Sequence, residues 1–313
     1  MSHLMKRFWL MLGILAVSYL SAQEMKPRVY YINPDWSPDG SKIVFELRRG
    51  DKGVVCTIQA DGSGLRELTS SESDNGQPRW SSDGRQIVFI SNRDGRDQLY
   101  LMSADGSHQR RLTNAADVDF LPDLSPKGDQ VAFTSSQDVR TRTTEIYVMH
   151  TDGTGRTRLT DDGESVNSSP RWSPDGKKIV FSKGMAMPKN YPALSSEEKA
   201  KVRAQVKNSA EIFIMDKDGS HLKNLTNNTT PDGSPQWSGQ TIYFMSERDG
   251  APNVYAIDAD GGHARKVADG KVVRGTNISR DGKYFVYSKD VDKKSGLYIY
   301  DLKNGTERRL IGE

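Results

Sequence analysis

The chain has a single cysteine, Cys56, which excludes an internal disulfide framework. Histidine is also scarce. With His3 set aside near the start, only His108, His150, His221 and His263 remain. They sit in or beside the same recurring turn of different repeats, so they should be held apart, and a histidine-built metal cluster is disfavoured. There is no Gly-x-Ser-x-Gly elbow, no His-Glu-x-x-His pair and no phosphate-binding glycine loop. Serine-hydrolase, zinc-protease and nucleotide-binding settings are therefore missing, and carboxylate-only chemistry is the enzymatic route left open. Apolar residues make up only 35% of the chain. The one long apolar run, Phe8 to Leu20, follows Lys6 and Arg7 and precedes small Ser21 and Ala22. That pattern is expected for an export signal cleaved after Ala22, since a bilayer span needs about 20 residues. Without that segment the charges nearly balance. No basic stripe remains, so nucleic acid is not an expected partner.

What the sequence does have is one sentence repeated six times. Its copies are Pro34-Asp35-Trp36-Ser37-Pro38-Asp39-Gly40, Pro78-Arg79-Trp80-Ser81-Ser82-Asp83-Gly84, Pro122-Asp123-Leu124-Ser125-Pro126-Lys127-Gly128, Pro170-Arg171-Trp172-Ser173-Pro174-Asp175-Gly176, a trimmed Pro235-Gln236-Trp237-Ser238-Gly239 and a worn Thr276-Asn277-Ile278-Ser279-Arg280-Asp281-Gly282. They recur roughly every 45 residues with one longer gap, the period of four-stranded propeller blades. Within the second copy, Pro78 to Ser81 reads as an inner strand and Ser81 to Gly84 as a tight turn. Ile87-Val88-Phe89-Ile90 is apolar at four successive positions, which means both sheet faces are covered. A third strand and a short outer strand follow. A lone sheet cannot bury two apolar faces, but six arranged radially can. The expected class is all-β: a six-bladed β-propeller with blades at about 34–69, 78–113, 122–160, 170–226, 235–268 and 275–311. Residues 23–33 are left as an N-terminal segment. Within it Arg28 to Ile32 would add to blade six as a clasp strand closing the ring, with packing alone between blades six and one as the alternative.

These motifs resemble the TolB family of six-bladed β-propellers, whose blades read roughly P-x-W-S-P-D-G, an I-x-F strand, I-Y-x-M, D-G and L-T. The resemblance covers about residues 33 to 313, without the α/β domain that precedes the propeller in the full-length family member. It implies a periplasmic, monomeric protein-binding module and no catalysis or cofactor. The partner class implied is a peptidoglycan-associated or outer-membrane lipoprotein, or an envelope transport or secretion complex, with the membrane met only through that partner. The competing reading is a carbohydrate-binding or oligosaccharide-active propeller with a channel site, where calcium or another divalent cation would be the alternative to no cofactor.

Two sets of residues are candidates for a site. The residues before the tryptophan, or its equivalent, are Asp35, Arg79, Asp123, Arg171, Gln236 and Asn277. They should ring the channel, with ion pairs Asp35–Arg79 and Asp123–Arg171 between neighbouring blades. The second set lies on the face of the variable loops, where scaffolds usually bind: Asp74, Asn75, Asp117, Asp119, Glu164, Asn167 and Asp232. Blade four adds about twenty residues there, with Met185, Met187 and Tyr191 ahead of a short helix capped by Ser195 and Glu198. This insertion would be a lid or docking arm over the propeller mouth, or equally a decoration with no partner.

Overall fold

The repeated sentence is a turn built on its own side chains. In a computed structural model of the protein, the Ser37 hydroxyl donates to Asp39 Oδ1 at 2.6 Å and accepts from Lys42 N at 2.8 Å, while Gly40 takes a φ of 70°. Ser81–Asp83, Ser173–Asp175 and Ser279–Asp281 repeat the bond at 2.6–2.7 Å. The Ser37 hydroxyl, with the amide and hydroxyl of Ser41, holds the Asp39 carboxyl down at about 2.

The structure describes residues 28–114, 116–136, 143–268, 274–292 and 294–312; the expected export signal lies outside them. Blade one holds β1 (Val29–Trp36), β2 (Lys42–Arg49), β3 (Lys52–Gln59) and β4 (Arg66–Glu67). Blade two holds β5 (Asn75–Trp80), β6 (Gln86–Ser91), β7 (Gln98–Ser103) and β8 (Arg110–Arg111), and blade three β9 (Val118–Leu124), β10 (Gln130–Ser136), β11 (Glu145–His150) and β12 (Thr157–Arg158). Blade four has β13 (Ser165–Trp172), β14 (Lys178–Met185), the helix α1 (Ser196–Asn208), β15 (Glu211–Asp216) and β16 (Lys223–Asn224). Blade five has β17 (Asp232–Ser238), β18 (Thr241–Ser246), β19 (Asn253–Asp258) and β20 (Arg265–Ala268), and blade six β21 (Arg274–Ile278), β22 (Tyr284–Val291), β23 (Lys294–Asp301) and β24 (Thr306–Gly312). Each blade is a four-stranded antiparallel sheet of consecutive strands, giving the all-β six-bladed propeller.

In five copies the proline marks a bulge, and in the sixth Thr276 holds that place. Every innermost pair shifts register there, and the residue before the proline is left-handed: Asn33, Gln77, Leu121, Ser169 and Ser234 have φ of 50–57°. Proline lacks the N–H a ladder needs, so a bulge is where a strand tolerates it. The N–H of the left-handed residue bonds to the blade before it, from Gln77 to Glu46 Oε2 at 3.2 Å and from Leu121 to Gln77 Oε1 at 2.7 Å.

The core lies between blades. One cluster joins Val88, Leu99 and Leu101 of blade two to Val131, Phe133 and Tyr147 of blade three. Another joins Ile43, Phe45 and Cys56 of blade one to Val286, Leu297 and Ile299 of blade six, and it closes the ring. The expected clasp is therefore corrected. Residues 29–32 pair with β2 of their own blade, Tyr31 opposite Leu47. They meet blade six by packing and by two bonds, from Ser288 Oγ to Tyr31 O at 2.6 Å and from Tyr31 N to Ser295 Oγ at 3.3 Å. Blade one, expected to begin at about residue 34, begins at Val29 instead, and β1 runs through Pro34 on the bulge.

Candidate functional site

The six residues before the tryptophans do converge. Asp35, Arg79, Asp123, Arg171, Gln236 and Asn277 all line one cavity of about 600 Å³ at the channel, on the face of the repeated turns. Arg171, Gln236 and Asn277 are buried, and the other three are half-buried.

The expected ion pairs are replaced by other bonds. Asp35 Oδ2 accepts from the backbone N–H of Trp80 at 2.8 Å, and its Oδ1 accepts from Asn277 Nδ2 at 2.7 Å. Asp123 Oδ2 likewise accepts from Trp172 N at 2.8 Å. Arg171 donates to Pro170 O at 2.8 Å and to Gln236 Oε1 at 3.4 Å, while Arg79 reaches the carbonyls of Pro34 and Pro78. The inner edge of each blade leaves backbone groups that need partners. A short carboxylate one blade back reaches such an N–H, and the longer guanidinium lies across carbonyls instead. The acids thus tie blade one to blade two and blade three to blade four through main-chain atoms. Burial pushes the Asp123 carboxyl up to about 6 against the pull of Arg171, and it also raises Asp35. Burial, followed by the like charge of Arg79, draws Arg171 down to about 10. The arrangement can hold a polar group in the channel.

On the loop face most of the expected contact residues are internal ties. Asp119 is 0% exposed and takes two bonds from Arg156, at 2.8 and 3.1 Å, and Asp117 takes a third at 3.0 Å. Asp232, also buried, holds Arg248 at 3.0 Å and Asn228 at 2.6 Å. Asn75 is buried, accepts from Arg93 at 3.1 Å and donates to Ser73 O. Asn167 is fully buried on Glu145, at 2.9 Å. Asp74 binds Arg48 at 2.8 Å and caps Gly53 N. These six side chains support the loops and strands by which the chain enters blades two to five.

The cations that hold them escaped the sequence reading. Arg93, Arg156 and Arg248 each lie 4.6 Å from the ring centre of a tyrosine, Tyr100, Tyr147 and Tyr255. Each also covers a phenylalanine of the neighbouring strand, Phe89, Phe133 and Phe244. A signal was present for two of them, in the paired Ser91-Asn92-Arg93-Asp94-Gly95 and Ser246-Glu247-Arg248-Asp249-Gly250.

Of the expected contact residues, Glu164 and those of the blade-four insertion are left outside these ties. Met185 is 54% exposed, and Met187 and Tyr191 are half-buried. The capping box of Ser195 and Glu198 forms as expected at the start of α1. No side chain of that helix is buried. It is tethered by Lys207 to Glu247 of blade five at 2.9 Å, by the Ser209 hydroxyl on Met185 N at 2.8 Å, and by Arg203 on the Tyr191 hydroxyl. His108, His150, His221 and His263 are all exposed, each at the outer turn of its own blade. Among the described residues no three His, Cys, Asp or Glu side chains group as metal ligands, and no helix is long and apolar enough to cross a membrane.

Residues 21–144 and 185–312 match the family model described as the TolB beta propeller domain. The Tol-Pal system protein TolB of Francisella tularensis subsp. mediasiatica is 27% identical over 159 residues, 49% of this chain and 32% of that protein. The aligned part is thus about a third of the length of that curated relative. Among solved structures, TolB from Acinetobacter baumannii superposes with a TM-score of 0.66 at 19% identity, over 90% of this chain and 62% of that one. An oligogalacturonate lyase in complex with manganese superposes with a TM-score of 0.62 at 15% identity, over 90% and 77%. At these identities the structures speak for the fold.

Proposed function

The chain belongs to the TolB beta propeller domain family, and from that premise we propose that it is a non-catalytic protein-binding module of the cell envelope. In this reading it is exported to the periplasm by the segment 1–22 and docks a peptidoglycan-associated or outer-membrane lipoprotein, or an envelope transport complex. The curated relative named for the Tol-Pal system supports the partner class.

The observation that carries the reading is the blade-four arm. A helix of 13 residues stands on the loop face with no buried side chain. Isolated helices of that length are marginal in water, so the arm contributes little to the fold and presents its surface outward. Beside it Met185 exposes a soft apolar side chain, a kind favoured at adaptable contact surfaces. The test replaces Pro188 to Asn208 with a short Gly-Ser turn and repeats co-purification from envelope extract. The expected outcome is loss of a stoichiometric protein partner, with stability unchanged within about 0.5 kcal/mol. A partner retained in full by the shortened chain would overturn the arm's role.

A second reading is favoured by the channel cavity, which is lined by all six ring residues. There the ligand would be an oligosaccharide or a divalent cation. Thermal shifts with either, lost in Asp123→Asn and unaccompanied by any protein partner, would favour it over the first.

A further inference from the structure

The bonds within the channel ring use only part of what lines the cavity. The lining carries six charges, Asp35, Asp83 and Asp123 against Arg79, Arg171 and Arg280, so the two signs balance. Several of these groups are fully engaged. Both oxygens of Asp35 accept bonds, from Trp80 N and from Asn277 Nδ2. Asp83 serves its own turn, accepting from the Ser81 hydroxyl and from Arg85 N. Arg79 rests one nitrogen, Nη1, on the carbonyls of Pro34 and Pro78 at 3.4 and 3.3 Å.

Asp123 and Arg171 differ. Asp123 accepts through Oδ2, from Trp172 N, and Arg171 donates through Nε to Gln236 and through Nη1 to Pro170 O. Among the described residues nothing bonds to Asp123 Oδ1 or to Arg171 Nη2. Their charges act on each other, yet no ion pair joins them. Arg171 is 6% exposed, and a charge so buried is costly unless it is paired and hydrogen-bonded. One acceptor and one donor of opposite charge are thus left over on neighbouring blades. The remaining wall is apolar. Trp80, Leu124, Trp172 and Ile278 line the same cavity of about 600 Å³, and mainly apolar walls with a few placed polar groups are the mark of small-molecule sites. A lone anion would face Asp123 unanswered, a lone cation would face Arg171, and a neutral sugar would answer neither. A molecule with an ammonium and a carboxylate on one carbon answers both.

We propose that the channel binds a free α-amino acid with an apolar side chain, its ammonium on Asp123, its carboxylate on Arg171 and its side chain against the tryptophan wall. The cavity is that of the second reading above, but the ligand is of another chemistry. The proposal is also independent of whichever partner the blade-four arm meets. Because blade three holds one end of the ligand and blade four the other, the bound molecule would bridge the two blades.

The test titrates the full chain near neutral pH, where Asp123 with its value of about 6 is ionised, with leucine, N-acetylleucine and leucinamide. The three share one side chain and carry both charges, the anion alone and the cation alone. Tryptophan fluorescence is the readout, because four of the five tryptophans, Trp36, Trp80, Trp172 and Trp237, line this cavity. Leucine should shift the emission with a midpoint of about 1 mM, and the other two should bind about tenfold more weakly. Asp123→Asn should weaken leucine about tenfold and make N-acetylleucine the tighter of the two. Arg171→Gln should do the same in favour of leucinamide. A folding defect would lower all three together, so the exchange of preference is the decisive result. No response to leucine up to about 10 mM, or equal binding of the three probes, overturns the proposal. A response to an oligosaccharide or a divalent cation with none to leucine also overturns it, and leaves the second reading standing.

Discussion

The channel ring and the blade-four arm are opposites in how their polar groups are used. In the ring, charged side chains from four blades are buried or half-buried and spent on backbone atoms of their neighbours. In the arm, a helix carrying Glu197, Lys201 and Arg203 buries no side chain fully and is tethered by Lys207 and Arg203. The same residue types are structural in one region and available in the other. The difference is desolvation: a buried charge must be satisfied by the fold, while a solvated one leaves the fold indifferent to its loss. Altering the two kinds of site should therefore give effects that differ by kilocalories.

The largest effect is expected on the loop face, where Asp119 behaves like a member of the buried set. Asp119→Ala strips the two bonds it accepts from Arg156 and leaves that guanidinium over Phe133 and Tyr147 with Asp117 and the Ser135 hydroxyl. Removing one partner of such a pair should cost about 3 kcal/mol in urea unfolding. A loss no greater than that of an exposed acid such as Glu164→Ala would erase the distinction between supporting and exposed acids on this face.

The ring predicts a dependence on pH, with the opposite sign from an ordinary salt-bridged acid. The folded pKa of Asp123 is about 6, above the value of about 3.9 for an unfolded aspartate. Between those two values the folded state binds the proton more tightly, so this group makes the protein more stable as the pH falls from 7 toward 4. The gain is on the order of 1–2 kcal/mol. It should be missing from Asp123→Asn, which can still accept from Trp172 N. The readout is the difference in pH slope between the two proteins, because turn aspartates such as Asp39, held low, contribute the contrary trend equally to both. Parallel slopes would mean that Asp123 is well hydrated in the channel.

This contrast also explains what could be read from the sequence. Blade number and strand order were legible because turn chemistry is local: Ser37, Asp39 and Gly40 close their own hairpin and declare it in four letters. The ring positions were legible for the same reason, since equivalent letters in a repeat occupy equivalent places. Their bonds were not, because whether Asp35 meets Arg79 or the N–H of Trp80 depends on distances between blades. The loop acids misled for a similar reason. Arg156 lies 37 residues after Asp119, and nothing adjacent to either shows that the arginine just before the outer strand folds back over the aromatic pair. The start of blade one at Pro34 misled most directly. In an ordinary strand the proline would mark an end, but here a left-handed Asn33 lets β1 continue through it.

The smallest global effect should come from the arm, and there the local and global readouts should part company. Ser195 caps α1 by accepting from Glu198 N at 3.2 Å, and Glu198 returns the bond to Ser195 N at 2.8 Å. Such a cap is worth about 1 kcal/mol to the helix it starts. A helix built into a core would pass that loss on to the whole fold. Because α1 buries no side chain, Ser195→Ala should leave the global unfolding midpoint unmoved while amide exchange across 196–208 speeds up about fivefold. A matching drop in global stability would show that the arm unfolds with the propeller, and that its Lys207–Glu247 tether ties it into blade five more firmly than its packing suggests.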